Sequence, residues 1–201
     1  MKPIDKKIEL LLYNETSVSR ALSILFKYPD KEFSLSDLAE KAQVAKANIS
    51  KLLKNLQDKQ FIEIEKLANI WRIKANRTNQ DFIKAKIVHN LSLIYQSELI
   101  EFLIKNLKHP KSIILFGSFR KGEDITSSDI DIAVETNENK PQSAYLSELI
   151  LQNEKKELTK IEKYLDRKIQ IHLFNKKTIN LNVFNNIANG IVLSGFLEVK
   201  P

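Results

Sequence analysis

Two carboxylates in an apolar stretch are the residues whose spacing points most directly to chemistry. Asp129 and Asp131 alternate with Ile130 and Ile132 as residues of a strand do, so both carboxylates project from the same side, about 7 Å apart. Two carboxylates so placed repel each other unless a cation lies between them. Hard oxygen ligands suit Mg²⁺ or Mn²⁺, so we predict a divalent-metal site at Asp129 and Asp131.

A glycine–serine pair precedes these carboxylates along the chain. Gly117 and Ser118 follow an apolar segment, 112–116, that reads as a buried strand. Their backbone N–H groups and the Ser118 hydroxyl can cradle a phosphate where a side chain would block its approach, and Arg120 adds positive charge beside them. We therefore expect Gly117, Ser118 and Arg120 to bind phosphate.

The combined pattern resembles a known signature. Gly-Ser, ten residues and then Asp-Ile-Asp, between apolar strands, is similar to the motif of the minimal nucleotidyltransferases in the DNA polymerase β superfamily. The segment 187–195 is similar to the closing helix and Gly-Ile-x-Leu turn of that family. The resemblance covers about residues 108–197 and identifies this half as a nucleotidyltransferase fold.

The resemblance implies an activity and its residues. Asp129 and Asp131 would be catalytic and would hold a metal against a nucleoside triphosphate, expected to be ATP. Gly117 and Ser118 would bind its β- or γ-phosphate, and a nucleoside monophosphate would pass to a hydroxyl acceptor. Small relatives of the family often act as antitoxins that modify a partner HEPN-type toxin, so a protein acceptor is one expectation.

One element of the family pattern is missing. The family normally carries a third carboxylate on the next strand, here 169–173, where Gln170 stands instead. Gln170 can ligate a metal through its carbonyl oxygen but brings no charge. His172 shares its face and can ligate Mn²⁺ or take a proton, or it is an ordinary hydrogen-bonded strand histidine. Asp166 lies before the strand and is poorly placed, so nucleotide and metal binding are better supported than turnover.

The N-terminal half shows a different order of elements. Periodicity predicts a helix over 18–26, a short helix after the Ser34-x-x-Asp37 start, and a helix over 45–59. Two alternating segments, 61–65 and 70–74, then form a hairpin with its turn around 66–69. This order resembles winged helix-turn-helix transcription regulators.

The third of these helices is the expected DNA contact, because the second helix of the turn enters the major groove in such domains. Its polar side chains include lysines for phosphates and two candidate readers of base edges. We predict DNA contacts at Lys46, Asn48, Ser50, Lys51 and Lys54. The alternative is a protein-docking winged helix.

Charge agrees with a polyanion partner without requiring one. The chain carries 18 basic and 13 acidic residues up to Leu107, and 14 and 12 after it. A basic N-terminal half suggests nucleic acid, while the other interpretation is solvated lysine that keeps the protein soluble.

The predicted organisation is α+β. A winged helix covers 1–78, and a helical connector of one or two helices covers 79–107, ending at His109-Pro110. A nucleotidyltransferase unit covers 108–201, with helices over 144–165 and 181–191. The apolar stripe of the connector is the expected homodimer surface.

Composition excludes several classes of protein. Of the 201 residues, 43% are hydrophobic and 28% charged, which excludes wholesale disorder. The absence of cysteine excludes disulfides and thiolate metal sites. No apolar run has the length of a signal peptide or a membrane helix, so we expect a cytoplasmic protein without a membrane partner.

Two functions follow from this pattern. The first is a DNA-binding nucleotidyltransferase enzyme, which the intact Gly-Ser and Asp-x-Asp set favours. The second is a winged-helix transcription regulator that senses a nucleotide through a degenerate site, which Gln170 favours.

Overall fold

The structure is a computed structural model that describes residues 16–67, 70–107, 110–137, 142–151 and 154–199. The turn expected at 68–69 and the helix stop expected at His109 lie outside the described residues. Backbone contacts divide the chain into two units, Met1–Phe82 and Ile83–Pro201. The expected connector therefore lies mostly within the second unit.

The first unit is a winged helix, as predicted. The elements are α1 (Ser17–Lys27), β1 (Glu32–Phe33), α2 (Leu35–Lys41), α3 (Lys46–Asp58), β2 (Ile62–Leu67) and β3 (Ile70–Ala75). The sheet is antiparallel, with strand order β1-β3-β2. Strand β1, which pairs with β3, was not predicted.

Local chemistry sets the boundaries of these helices. The Thr16 hydroxyl accepts from the Ser19 N–H at the start of α1. Ser34 and Asp37 form the predicted capping box, in which each side chain accepts from the other residue's backbone N–H. Gln43 takes a positive φ of 52° between α2 and α3, so the chain turns sharply there. These caps fix where α1 and α2 begin, whereas α3 begins at Lys46 without a side-chain cap.

The second unit is a mixed five-stranded sheet with helices. The elements are α4 (Gln80–Gln96), α5 (Leu99–Asn106), β4 (Ser112–Phe116), α6 (Gly117–Lys121), β5 (Ile130–Glu135), β6 (Gln142–Tyr145), α7 (Leu146–Leu149), α8 (Lys155–Leu165), β7 (Ile169–Phe174), α9 (Leu181–Ala188) and β8 (Ile191–Gly195). The strand order is β6-β7-β5-β4-β8. Strands β5 and β7 are parallel, and the other neighbours are antiparallel. The unit boundary falls in the first turn of α4.

Two predicted segments differ from the structure. The helix expected over 144–165 is wrong at its start, because residues 142–145 form β6 against β7, and helices follow at 146–149 and 155–165. The closing helix ends at Ala188, and β8 follows it. Pairing with a distant strand overrides local propensity in both places. The connector is two helices, separated at Glu98, which has a φ of 60°.

The two faces of the second unit's sheet differ in what covers them. One face packs its alternating isoleucines against α5 and α8 in the main core. The opposite face carries a small apolar cluster under α9, around Ile114, Ala133 and Ile187, and leaves its remaining positions to polar side chains. The connector's apolar stripe lies mostly in the main core, although Val88 and Tyr95 are exposed. None of the described helices is long and apolar enough to cross a bilayer.

Candidate functional site

Strand register places the candidate site residues in two adjacent rows on the face of this sheet opposite the main core. The first row runs across β4, β5, β7 and β6 and contains Phe116, Asp131, Gln170 and Tyr145. The second row contains Ile114, Ala133, His172 and Ser143. Asp129 comes just before β5 and lies at the same end of the sheet. Partners in register share a face, so Asp131, Gln170 and Tyr145 lie side by side.

The Gly-Ser turn packs directly on one of the two aspartates. Gly117 begins α6 with a φ of 74°, a conformation that side-chain-bearing residues rarely adopt. A Cβ at this position would lie 3.0 Å from Asp131 Cγ and closer still to Oδ2. Phe116 pairs with Asp131 in the sheet, which brings the turn to the carboxylate. Ser118 and Arg120 follow on α6 and are half-buried.

Asp129 contacts a residue that the sequence analysis missed. The Tyr145 hydroxyl donates to Asp129 Oδ2 at 3.1 Å. This hydrogen bond, together with the negative charge of Asp129, raises the pKa of Tyr145 above its usual value. Tyr145 was missed because the apolar residues that follow it have helical spacing, whereas Tyr145 itself ends the edge strand β6.

Asp131 has a different partner. His172 Nε2 lies 3.3 Å from Asp131 Oδ1, and its Nδ1 is hydrogen-bonded to the Ser143 hydroxyl at 2.9 Å. The rings of Phe116 and His172 pack edge to face, with their centroids 5.0 Å apart. His172 therefore has a fixed orientation at the site, and Gln170 occupies the register position beside Asp131.

The donor set fits a cation that is shared with a nucleotide. Hydrogen bonds engage Asp129 Oδ2 and Asp131 Oδ1, which leaves one oxygen of each carboxylate for a cation. Within the described residues, no group of three or more His, Asp or Glu side chains could hold a metal. Mg²⁺ is commonly bound by one or two carboxylates together with substrate phosphates, and two aspartates beside a glycine turn meet that requirement.

A buried ion pair fixes the loop between α6 and β5. Lys86 Nζ lies 3.0 Å from Asp124 Oδ1, and each side chain is 1% exposed. Lys86 also donates to the Asp124 carbonyl, and the Asn90 amide donates to Asp124 Oδ1 and to the Phe119 carbonyl. The pair thus ties the loop that leads to Asp129 to helix α4. Its signal in the sequence is two polar residues, at i and i+4, on the buried side of α4.

The predicted DNA-facing residues lie on α3. Its apolar side is buried through Ile49 and Leu53, while Lys46, Asn48, Lys51 and Lys54 are exposed. The half-buried Ser50 donates weakly to the Lys46 carbonyl at 3.4 Å, which occupies its hydroxyl within the helix.

The hairpin differs from α3 in the partners of its basic residues. Arg72 pairs with Glu32 and Glu65, and Lys74 pairs with Glu63. Lys66 lies over the ring of the half-buried Trp71, with Nζ 4.3 Å from the ring centroid. Within the described part of the chain, the α3 lysines form no ion pair. Positive charge available to a polyanion is therefore greater on α3 than on the hairpin.

Comparison with solved structures finds transcription regulators. The chain is 23% identical to MepR, a transcription regulator of the Staphylococcus aureus multidrug efflux pump MepA, over 52% of this chain and 82% of that one, with a TM-score of 0.34. The S. aureus MepR–DNA complex gives 23% identity over the same shares, with a TM-score of 0.33. At these TM-scores the likeness carries no conclusion about function.

Comparison with curated proteins finds no match. Comparison with family models finds a match within the second unit. It covers the segment from the end of α4 into β8, and so includes Gly117, Ser118, Asp129, Asp131 and Gln170. Residues 96–193 of the chain match the model of the nucleotidyltransferase domain.

Proposed function

We propose that the chain is a DNA-binding protein whose second unit transfers a nucleoside monophosphate from ATP to a hydroxyl acceptor, with Mg²⁺ or Mn²⁺. The observation that carries this proposal is the close packing of Gly117 on Asp131. It joins the phosphate-binding turn and the carboxylate pair in one site, within a segment that matches the nucleotidyltransferase domain.

Each residue has a role in this proposal. Asp129 and Asp131 hold the cation through the oxygens that Tyr145 and His172 leave available. Gly117, Ser118 and Arg120 bind the terminal phosphates through the backbone N–H groups of the turn, the Ser118 hydroxyl and the Arg120 guanidinium. The bound cation would neutralise developing charge on the phosphates.

The DNA-binding part of the proposal rests on α3. Its exposed lysines would contact backbone phosphates and Asn48 would reach base edges, while a homodimer would present two such helices to two half-sites. The Lys66–Trp71 hairpin would lie beside the backbone. The acceptor class proposed here is a hydroxyl on a partner protein, in a pair of the toxin–antitoxin kind.

One observation favours a second function. Gln170 stands in register with Asp131 on the neighbouring strand, so a neutral amide occupies the place beside the carboxylates. Two-metal catalysis needs negative charge there to hold the second cation. The alternative is therefore a regulator that binds a nucleotide with one cation and transfers it slowly or not at all.

A transfer assay separates the two functions. The full chain is incubated with ATP labelled on its α-phosphate, Mg²⁺ or Mn²⁺, and a lysate of the source cell. A labelled acceptor that disappears with Asp129→Asn supports the enzyme. Bound ATP without transfer by the parent, followed by transfer with Gln170→Asp, supports the regulator. Robust transfer by both the parent and Asp129→Asn would contradict both assignments of the site.

A further inference from the structure

We propose that Tyr145 is an internal acceptor, so that the protein transfers a nucleoside monophosphate from ATP to its own Tyr145 hydroxyl. The inference rests on the proposed function, because the same carboxylates and the same nucleotide are used. It adds a modification site and a substrate, namely the chain itself.

The Tyr145 hydroxyl lies beside one of the candidate catalytic carboxylates. Tyr145 ends the edge strand β6, and Asp129 precedes β5, with β7 between the two strands. The Tyr145 side chain therefore reaches across β7, past Gln170, to place its hydroxyl 3.1 Å from Asp129 Oδ2. A tyrosine whose role was only to cover the edge strand would not need to reach the carboxylate that holds the cation.

Other hydroxyls near the site have different hydrogen-bond partners. The Ser143 hydroxyl is bonded to His172 in the next row, and the Ser128 hydroxyl accepts from the Ile125 N–H within its own turn. In the described part of the chain, Tyr145 supplies the hydroxyl that donates to a candidate catalytic carboxylate. Hydrogen-bond contact between an acceptor and its base is the geometry expected for general-base catalysis.

The transfer of AMP to Tyr145 needs no reactant other than ATP. The Tyr145 oxygen bonds to the α-phosphorus of ATP, and the bond from that phosphorus to the oxygen bridging to the β-phosphate breaks. Pyrophosphate leaves with the bonding electron pair, and the phenolic proton passes to Asp129 Oδ2, which already accepts it in a hydrogen bond. Oδ1 of Asp129 stays available to the cation.

The surroundings of the ring suit the product. The new phosphodiester carries a negative charge, and Lys168 Nζ lies 5.2 Å from the centroid of the Tyr145 ring. Lys168 is exposed, so its ammonium can turn toward the phosphate. Because the transfer consumes the Tyr145 hydroxyl, which is the single acceptor, each chain accepts one nucleotide.

The test is intact-mass spectrometry of the full chain after incubation with ATP and Mg²⁺ or Mn²⁺, followed by peptide mapping. We expect about one AMP per chain, located on Tyr145. Tyr145→Phe and Asp129→Asn should each lose the adduct. Tyr95→Phe and Tyr164→Phe should keep it, because both tyrosines are exposed on helices away from the polar face.

The outcomes separate this inference from the proposed function. An adduct that persists in Tyr145→Phe, or lies on another residue, overturns the inference. A parent chain that stays unmodified while it labels another acceptor in the lysate also overturns it, and leaves the proposed function standing. A parent chain that shows no metal-dependent ATP binding by calorimetry overturns both.

Discussion

The two units use their charged side chains in opposite ways. In the first unit, the lysines of α3 stand exposed on one helix, and the sequence alone shows where they are. In the second unit, Lys86 and Asp124 are each 1% exposed, and Asp131 and His172 are only about a quarter exposed. Positive charge on α3 is spread over a surface, whereas the charges of Lys86 and Asp124 are paired at a fixed distance.

This difference determines how each unit should respond to substitution. Lysines that contact phosphates contribute to affinity as separate terms, each small and sensitive to salt. A buried ion pair is costly to break, because the remaining charge stays buried with neither a partner nor water to stabilise it. Substitutions should therefore cause graded effects in the first unit and large effects at single positions in the second.

The largest effect is expected at the buried ion pair. Lys86→Met removes the cation beside Asp124 and should lower the free energy of unfolding by about 3–5 kcal/mol. Urea unfolding followed by circular dichroism measures it. Adding Asp124→Asn to the variant removes the stranded charge but keeps an acceptor for Asn90, so part of the loss should return. An unchanged midpoint in Lys86→Met would mean that the pair is not buried.

A pH-dependent loss of stability is expected from His89. Burial, and then the positive charge of Lys86, lower the pKa of His89 from 6.5 to about 4. The unfolded chain therefore binds a proton that the folded chain does not, and stability should fall as the pH drops from 6.5 toward 4. The linked free energy is about 3 kcal/mol.

A matched variant isolates this contribution, because carboxylates also titrate in that range. Urea unfolding at pH 7 and pH 4.5 should show a smaller difference for His89→Gln than for the parent chain. Equal differences for the two proteins would contradict the lowered pKa.

The next effect concerns the glycine turn. Gly117→Ala forces a side chain into a φ of 74° and against the Asp131 carboxylate, at a cost of about 1–3 kcal/mol. We expect ATP affinity with Mg²⁺ to fall roughly 10- to 100-fold by calorimetry. Gly195→Ala is the matched control: its φ is 76° but its neighbour is the Lys111 carbonyl. Equal losses of ATP affinity in both variants would assign the effect to general strain.

The smallest effect is expected on DNA binding by the first unit. Lys51→Ala with Lys54→Ala removes two exposed charges and should reduce the slope of log affinity for DNA against log salt by about 1.8. Lys74→Ala with Glu63→Ala removes an ion pair at constant net charge and should change the slope by less than about one. Parent-like DNA binding by the double lysine variant would exclude α3 as the contact.

The same contrast explains what the sequence could predict. The capping box, the lysine helix and the Asp129–Asp131 pair depend on residues a few positions apart, so local periodicity is enough to predict them. The family resemblance led us to expect Gln170 on the strand next to the carboxylates, and the register of β7 with β5 sets Gln170 beside Asp131.

The missed features depend on contacts between distant parts of the chain. Leu146, Leu149 and Ile150 have helical spacing that hides β6, whose conformation comes from pairing with β7. Tyr145 and Ser143 were overlooked for this reason. The Lys86–Asp124 pair joins residues 38 positions apart, and neither residue belongs to a motif. Tertiary pairing, rather than propensity, decided these positions.

Calorimetric titration of ATP into the parent chain and Asp129→Asn, each with and without Mg²⁺, tests the central claim most directly. Asparagine keeps an acceptor for the Tyr145 hydroxyl and removes only the negative charge. We predict ATP binding by the parent that requires the divalent cation, and no detectable cation-dependent binding by the variant. Equal affinity of the two proteins for ATP, or parent binding that is indifferent to the cation, would contradict the assignment of a metal–nucleotide site to Asp129 and Asp131.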